Sequence, residues 1–290
     1  MYSHAGVKDI RQRFDAIIAS VKKEPLGVSA SKTRGPALIK YSDLKQLIRG
    51  VMYAPYARAR LLSDVMHGIE SGNGTLYVDK VMVSDDPPRL TEECREKGPF
   101  SNECNPAPEG GFAADVSSSI LCSDAQDQTH LSKEEFVDYW HTLQSQSATM
   151  GDGWAEIRMS CVFWNVTARN KFDGQIGGKT AFPILFIGNT YDPVTPLRNA
   201  FVMSNKFEGS SVLHQESEGH CSAAGPSMCS AKMIRAYFQT GALPKKGTVC
   251  AQDESPFART QEIAQRKQSG SEDELLLEAL RRIVRSTPMW

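Results

Sequence analysis

Residues 183–200 read P-I-L-F-I-G-N-T-Y-D-P-V-T-P-L-R-N-A, and residues 218–222 read E-G-H-C-S. The apolar run from Ile184 to Ile187 predicts a buried strand, and Asp192 follows it. A second apolar stretch at Val212 and Leu213 predicts another strand, and His220 follows that one. The spacing leaves room for one helix between them. A Ser–Asp–His triad on a parallel sheet runs in that chain order, with each member at the carboxyl end of a strand. Two members stand here in order, and no G-x-S-x-G occurs anywhere upstream.

Taken singly, each residue has an ordinary reading. An aspartate before proline marks a turn, and a histidine beside glycine sits in a surface loop. Taken together, Asp192 lies between a buried strand and a helix start, where a triad acid holds an imidazole. His220 follows a strand, where a general base is placed. Ser71 and Ser222 do not sit on a strand-to-helix elbow, so neither gains an exposed hydroxyl and an oxyanion-hole amide together. His214, His220, Cys221 and Cys229 lack both the paired-histidine and the paired-cysteine spacing of a metal site, so no metal or cofactor is expected. His67, His130 and His141 read as structural, and Trp140, Trp154 and Trp164 as core.

The chain has 290 residues, of which 40% are hydrophobic, enough for a sizeable core in one or two domains. A net charge of −1 gives no long-range field for nucleic acid or an anionic membrane. No apolar run approaches a membrane span. The start, M-Y-S-H-A-G-V-K-D-I, lacks the apolar stretch of a signal peptide. Seven dispersed cysteines fit buried thiols or the disulfides of a secreted protein, and the odd number leaves one unpaired. Two sequons, at Asn73 and Asn165, lean the same way.

Val7, Ile10, Phe14, Ile17, Ile18 and Val21 recur at helical spacing and predict a helix ending before Pro25. Ser42 is expected to cap a second helix with Leu44, Leu47, Ile48, Val51 and Met52 on its apolar face. Residues 84–118 read as a long loop. Ser132 with Glu135 forms a capping box for a helix carrying Phe136, Tyr139, Trp140 and Leu143. Trp154 to Trp164 is expected to be helical. Thr195 is expected to cap a helix with Pro196 in its first turn. Residues 258–270 read as a polar linker, and an amphipathic helix follows Ser271.

The quoted stretch, followed by G-H-C-S, S-M-C, I-R-A-Y-F-Q-T-G-A-L-P and G-T-V-C, resembles the C-terminal segment of the secreted tripeptidyl-aminopeptidase-like α/β-hydrolases of fungi and actinomycetes. These are relatives of the proline iminopeptidases. D-I-R-Q-R-F-D-A-I, Y-S-D-L-K and E-S-G-N-G-T resemble that family's cap region, so the likeness covers roughly residues 7–257.

The resemblance implies that Asp192 is the triad acid and His220 the base. It implies an α/β fold, an incomplete α/β-hydrolase made of a mostly helical cap and the last two strands and helices of the core. The expected division is a cap over 1–177, a segment carrying acid and base over 178–257, and a linker and terminal helix over 258–290. The family's earlier strands and nucleophile would lie N-terminal to this chain, so the implied partner is a hydrolase core. Two parallel strands by themselves leave an edge and a face that such a core would cover. The implied function is that of a truncated or partial serine hydrolase. It would act on a peptide or small ester through an acyl-enzyme, with this chain inactive alone. The alternatives are a non-catalytic hydrolase-derived binding protein and a hydrolase of a fungal secondary-metabolite pathway. A peptide-end binder would need an acidic group in the cap, for which Glu156 is a weak candidate. The family is secreted, and its pattern implies disulfides Cys229–Cys250 and Cys122–Cys161, with Cys221 left over.

Overall fold

The computed structural model describes residues 6–32, 34–82, 96–97, 101, 113–172, 174–257 and 271–286. They form two compact units, one joining Met1–Gly74 to Gly174–Trp290 and the other spanning Thr75–Asp173. The first 74 residues thus pack with the segment beyond 174, a grouping that a linear division of the sequence does not express.

In the first unit, helix α1 (Val7–Lys23) begins where the Asp9 carboxylate accepts the Gly6 N–H, and buries Ile17 and Val21. A short antiparallel hairpin follows, β1 (Leu26–Val28) with β2 (Ala37–Ile39). Helix α2 (Tyr41–Tyr53) does not use Ser42 as its cap. It begins earlier, because Asp43 reaches back to the Lys40 N–H at 2.8 Å, and Ser42 lies in the first turn. Its buried face is Leu44, Leu47, Ile48 and Val51. Ala54 is fully buried at the joint to α3 (Pro55–Glu70), which has proline in its first turn.

The parallel sheet of this unit has three strands, β3 (Leu185–Tyr191), β4 (Ser211–Glu218) and β5 (Val249–Ala251), in that spatial order. Ile187 lies opposite Leu213 and Asn189 opposite Gln215, and His214 to Glu216 pair with β5. The sequence gives a strand signal for the first two alone. The third is too short for periodicity, and the pairing edge of β4 fixes it.

The second unit contains α4 (Thr75–Lys80), α5 (Ala113–Asp124), α6 (Lys133–Gln146) and α7 (Gly151–Met159), the last continued by a 3-10 turn over Ser160–Phe163. The capping box forms as read: Ser132 Oγ accepts the Glu135 N–H, and Glu135 accepts the Ser132 N–H. Helix α5 begins inside the stretch expected to be a loop; most of the rest of 84–118 lies outside the described residues, as does the linker 258–270. Trp140 is not core: it is exposed on α6, its indole N–H donates to Asp152 at 2.8 Å, and its ring stacks on His141. Cys122 on α5 is bonded to Cys161 on the 3-10 turn.

Back in the first unit, α8 (Leu197–Ser204) joins β3 to β4 and packs on Gly188, where an added Cβ would stand 2.8 Å from Leu197 Cδ1. Helix α9 (Met228–Thr240) joins β4 to β5, capped by Ser227 and ended by Gly241 at φ 73°. The Cys229–Cys250 disulfide ties α9 to β5. Helix α10 (Glu272–Ser286) contacts α9 through Lys232–Asp273 and Arg235–Glu272 ion pairs. Arg281 on α10 is buried against the equally buried Glu254, which also accepts the Tyr56 hydroxyl. Among the described residues β3 pairs with β4 alone, its Leu185–Ile187 stretch is half-buried, and Phe182 and Tyr191 beside it are exposed.

Candidate acid–base site

Asp192 leaves the carboxyl end of β3 and turns its side chain under the backbone that follows. Its Oδ1 accepts the N–H groups of Val194 at 2.8 Å and Thr195 at 2.9 Å. Its Oδ2 accepts the Thr195 hydroxyl at 2.8 Å and the Cys221 N–H at 3.2 Å. This changes the reading of the next helix. Thr195 is not its cap, because its amide and hydroxyl both go to Asp192, and α8 starts at Leu197 with Pro196 as the capping residue.

His220 leaves the carboxyl end of β4 through two left-handed residues, Gly219 at φ 93° and Cys221 at φ 63°. Gly219 has no room for a side chain: a Cβ would lie 2.6 Å from Pro55 Cδ and 2.9 Å from the Tyr53 carbonyl oxygen. The glycine therefore lets the strand end meet the α2–α3 joint. There the His220 N–H donates to the Tyr53 carbonyl at 2.8 Å, and the imidazole stands edge-on to the Tyr53 ring with centroids 5.3 Å apart.

The two residues meet. His220 Nδ1 lies 3.1 Å from both Asp192 oxygens, and 3.3 Å from Thr195 Oγ1. Burial by itself would raise the Asp192 pKa. The donors from Thr195, Val194 and Cys221 outweigh it and hold the carboxyl below its usual range. An ionised carboxylate only accepts, so Nδ1 carries a proton, and in the neutral ring the lone pair then lies on Nε2. Among the described residues no group is bonded to Nε2, and the His220 side chain is 30% exposed while that of Asp192 is 1% exposed. The arrangement is an oriented imidazole base with its accepting nitrogen free.

Among the described residues no serine hydroxyl is bonded to His220 Nε2. Ser71 caps the carboxyl end of α3 and donates to the His67 carbonyl. Ser222 lies in the histidine loop, between β4 and the α9 cap Ser227. Neither is at a strand-to-helix elbow. His214 bonds Thr190 Oγ1 at 2.8 Å, apart from the pair. Glu156 is exposed on α7 in the second unit. Among the described residues no cluster of three or more His, Cys, Asp or Glu is placed to hold a metal. Cys221 is exposed and its thiol is in no disulfide, as the resemblance implies.

Sequence reasoning missed two buried amides. Asn189 on β3 donates through Nδ2 to the Gly219 carbonyl at 2.9 Å and the Cys221 carbonyl at 2.7 Å. Gln215, opposite it on β4, donates to Ser217 Oγ and to the carbonyls of Ser222 and Gly225. Both are fully buried. The available signal was alternation: Asn189 follows Ile187, and Gln215 follows Leu213, at the inward positions of strands.

Residues 146–250 match the family model described as TAP-like protein, Abhydrolase_4. The matched TAP-like segment contains β3, β4, all but the last residue of β5, and both Asp192 and His220. It is similar to an α/β-hydrolase domain over less than half of the chain. No curated protein matches the chain.

Proposed function

We propose that the TAP-like segment supplies the acid and base of a serine-hydrolase triad, acting on a peptide or small ester through an acyl-enzyme. The observation that carries this reading is the contact of both Asp192 oxygens with His220 Nδ1 at 3.1 Å, at the carboxyl ends of adjacent parallel strands. In such a triad the imidazole takes the nucleophile's proton at Nε2 and later returns it to the leaving group. The carboxylate holds the tautomer and stabilises the imidazolium formed. The free Nε2 and the depressed Asp192 pKa support those roles. The hydroxyl is the part this sequence does not offer at an elbow, so the 290-residue chain alone has no turnover.

A fluorophosphonate, which phosphonylates activated serines, tests both halves. It leaves the 290-residue chain unmarked; labelling that disappears in His220→Ala would show an activated serine within it and overturn the inactivity. Applied to a longer product of the gene carrying an in-frame G-x-S-x-G, the probe marks that serine. His220→Ala abolishes the marking and Asp192→Asn weakens it. Labelling indifferent to both variants would sink the acid–base assignment.

A second reading, a non-catalytic binding protein, rests on the missing elbow alone. Binding of a peptide or ester that survives His220→Ala, in a chain the probe never marks, favours it.

A further inference from the structure

We propose that Asn189 is a positioning residue for His220, acting through the carbonyl groups of Gly219 and Cys221, its two neighbours in the chain; this rests on the acid–base reading above. Asn189 is fully buried, and the two protons of its Nδ2 go to the Gly219 and Cys221 carbonyls, at 2.9 and 2.7 Å. Two carbonyl acceptors fix the orientation of the amide, since only its nitrogen can donate.

The backbone at this point needs a restraint. Gly219 and Cys221 are both left-handed, and Cys221 is the one residue other than glycine with positive φ among the described residues. Such a backbone relaxes unless its surroundings over-determine it. The Asn189 amide holds it on both sides of His220, and the Asp192 carboxylate takes the Cys221 N–H on the other side of the same peptide run. Gln215 holds the later part of the loop, at Ser222 and Gly225, and does not touch the peptides flanking His220.

Asn189 Oδ1 is buried without a partner among the described residues. An acceptor left unpaired in an apolar sheet is costly, and an apolar side chain at this position would avoid it. What the amide offers in return is its pair of donors, and both serve the histidine.

The ring-nitrogen chemical shifts of His220, measured by 15N NMR on the full 290-residue chain at neutral pH, report which nitrogen carries the proton. The unaltered chain shows the Nδ1–H form predominating, because Asp192 accepts there. Asn189→Leu removes both donors while keeping a side chain branched at the same carbon, and is expected to lose that predominance. Gln215→Met, an equally buried amide lost from the neighbouring strand position, is expected to keep it. Both are checked for a cooperative melt. If Asn189→Leu does not fold, Asn189→Ser, smaller and with a single donor, is expected to give a reduced Nδ1–H fraction. Retention of the full Nδ1–H signal in whichever Asn189 variant folds, or equal loss in Gln215→Met, overturns the positioning role. Absence of the Nδ1–H form in the unaltered chain is a different failure: it removes the Asp192–His220 pair itself, and with it the premise.

Discussion

Asp192 illustrates how one carboxylate can both close a turn and hold an imidazole. Its oxygens close the turn that ends β3 and also hold the imidazole that ends β4. Because its folded pKa is depressed, the stability it contributes is complete above the ordinary aspartate value, about 3.9. That contribution is lost as pH falls through the lower folded value. Urea unfolding followed from pH 6 downwards therefore loses part of its acid sensitivity in Asp192→Asn. At neutral pH the same variant weakens the acceptors for several backbone donors and costs roughly 1–3 kcal/mol. An acid limb unchanged by the substitution would show that this carboxylate does not govern it.

At the scale of elements, the close approaches are made by glycine. Gly151 opens α7 where the backbone of α6 crosses it, and an added Cβ would lie 2.6 Å from the Leu143 carbonyl oxygen and 2.7 Å from the Gln144 nitrogen. Replacing a helical glycine by alanine ordinarily gains about 1 kcal/mol. Here the neighbours are backbone atoms that cannot step aside. Gly151→Ala is expected to destabilise the second unit by roughly 1–3 kcal/mol, read as a lower urea midpoint; a gain in stability would mean that α6 and α7 have freedom to separate. The parallel sheet shows a different economy of elements. Strand β5 owes its existence to β4, and its Cys250 to α9 through the disulfide. Strand β3, with the sequence of a covered strand, has one bonded neighbour among the described residues.

On the scale of the whole molecule, α10 belongs to the fold of the first unit. Arg281 and Glu254 are both under a tenth exposed, and the guanidinium donates to the carboxylate through Nε at 2.7 Å. The Glu254 hydrogen bond raises the Arg281 pKa above its usual value, so the guanidinium stays charged. Removing one member strands the other charge in the interior. Arg281→Met is expected to cost about 3 kcal/mol in chemical unfolding, and Arg281→Met with Glu254→Gln to recover part of it, because the orphaned carboxylate is gone. Equal losses in the single and double variants would show that packing, and not the charge, is what Arg281 contributes.

Local signals were enough for the parts of this protein whose causes are local. The capping box at Ser132 and Glu135, the strand runs at Ile184 and Val212, the helical span of α1 and the helix after Ser271 all depend on neighbours within a few residues, whereas Val7 and Ile10 of the expected α1 face stay exposed. The order of Asp192 and His220 along the chain likewise carried their meeting, since adjacent parallel strands bring their carboxyl ends together. Other features were decided only when distant segments met. Strand β5, too short to announce itself, was fixed by pairing. Trp140 stayed outside because its helix buries no residue fully. Gly219 had to be glycine because of Pro55 and Tyr53, far away in sequence. Asn189 acquired its place in the site only when the loop after β4 folded over it. Periodicity and capping act over one or two turns of chain, whereas the competition for a hydrogen bond or for space is settled by whichever residues the packed fold brings together.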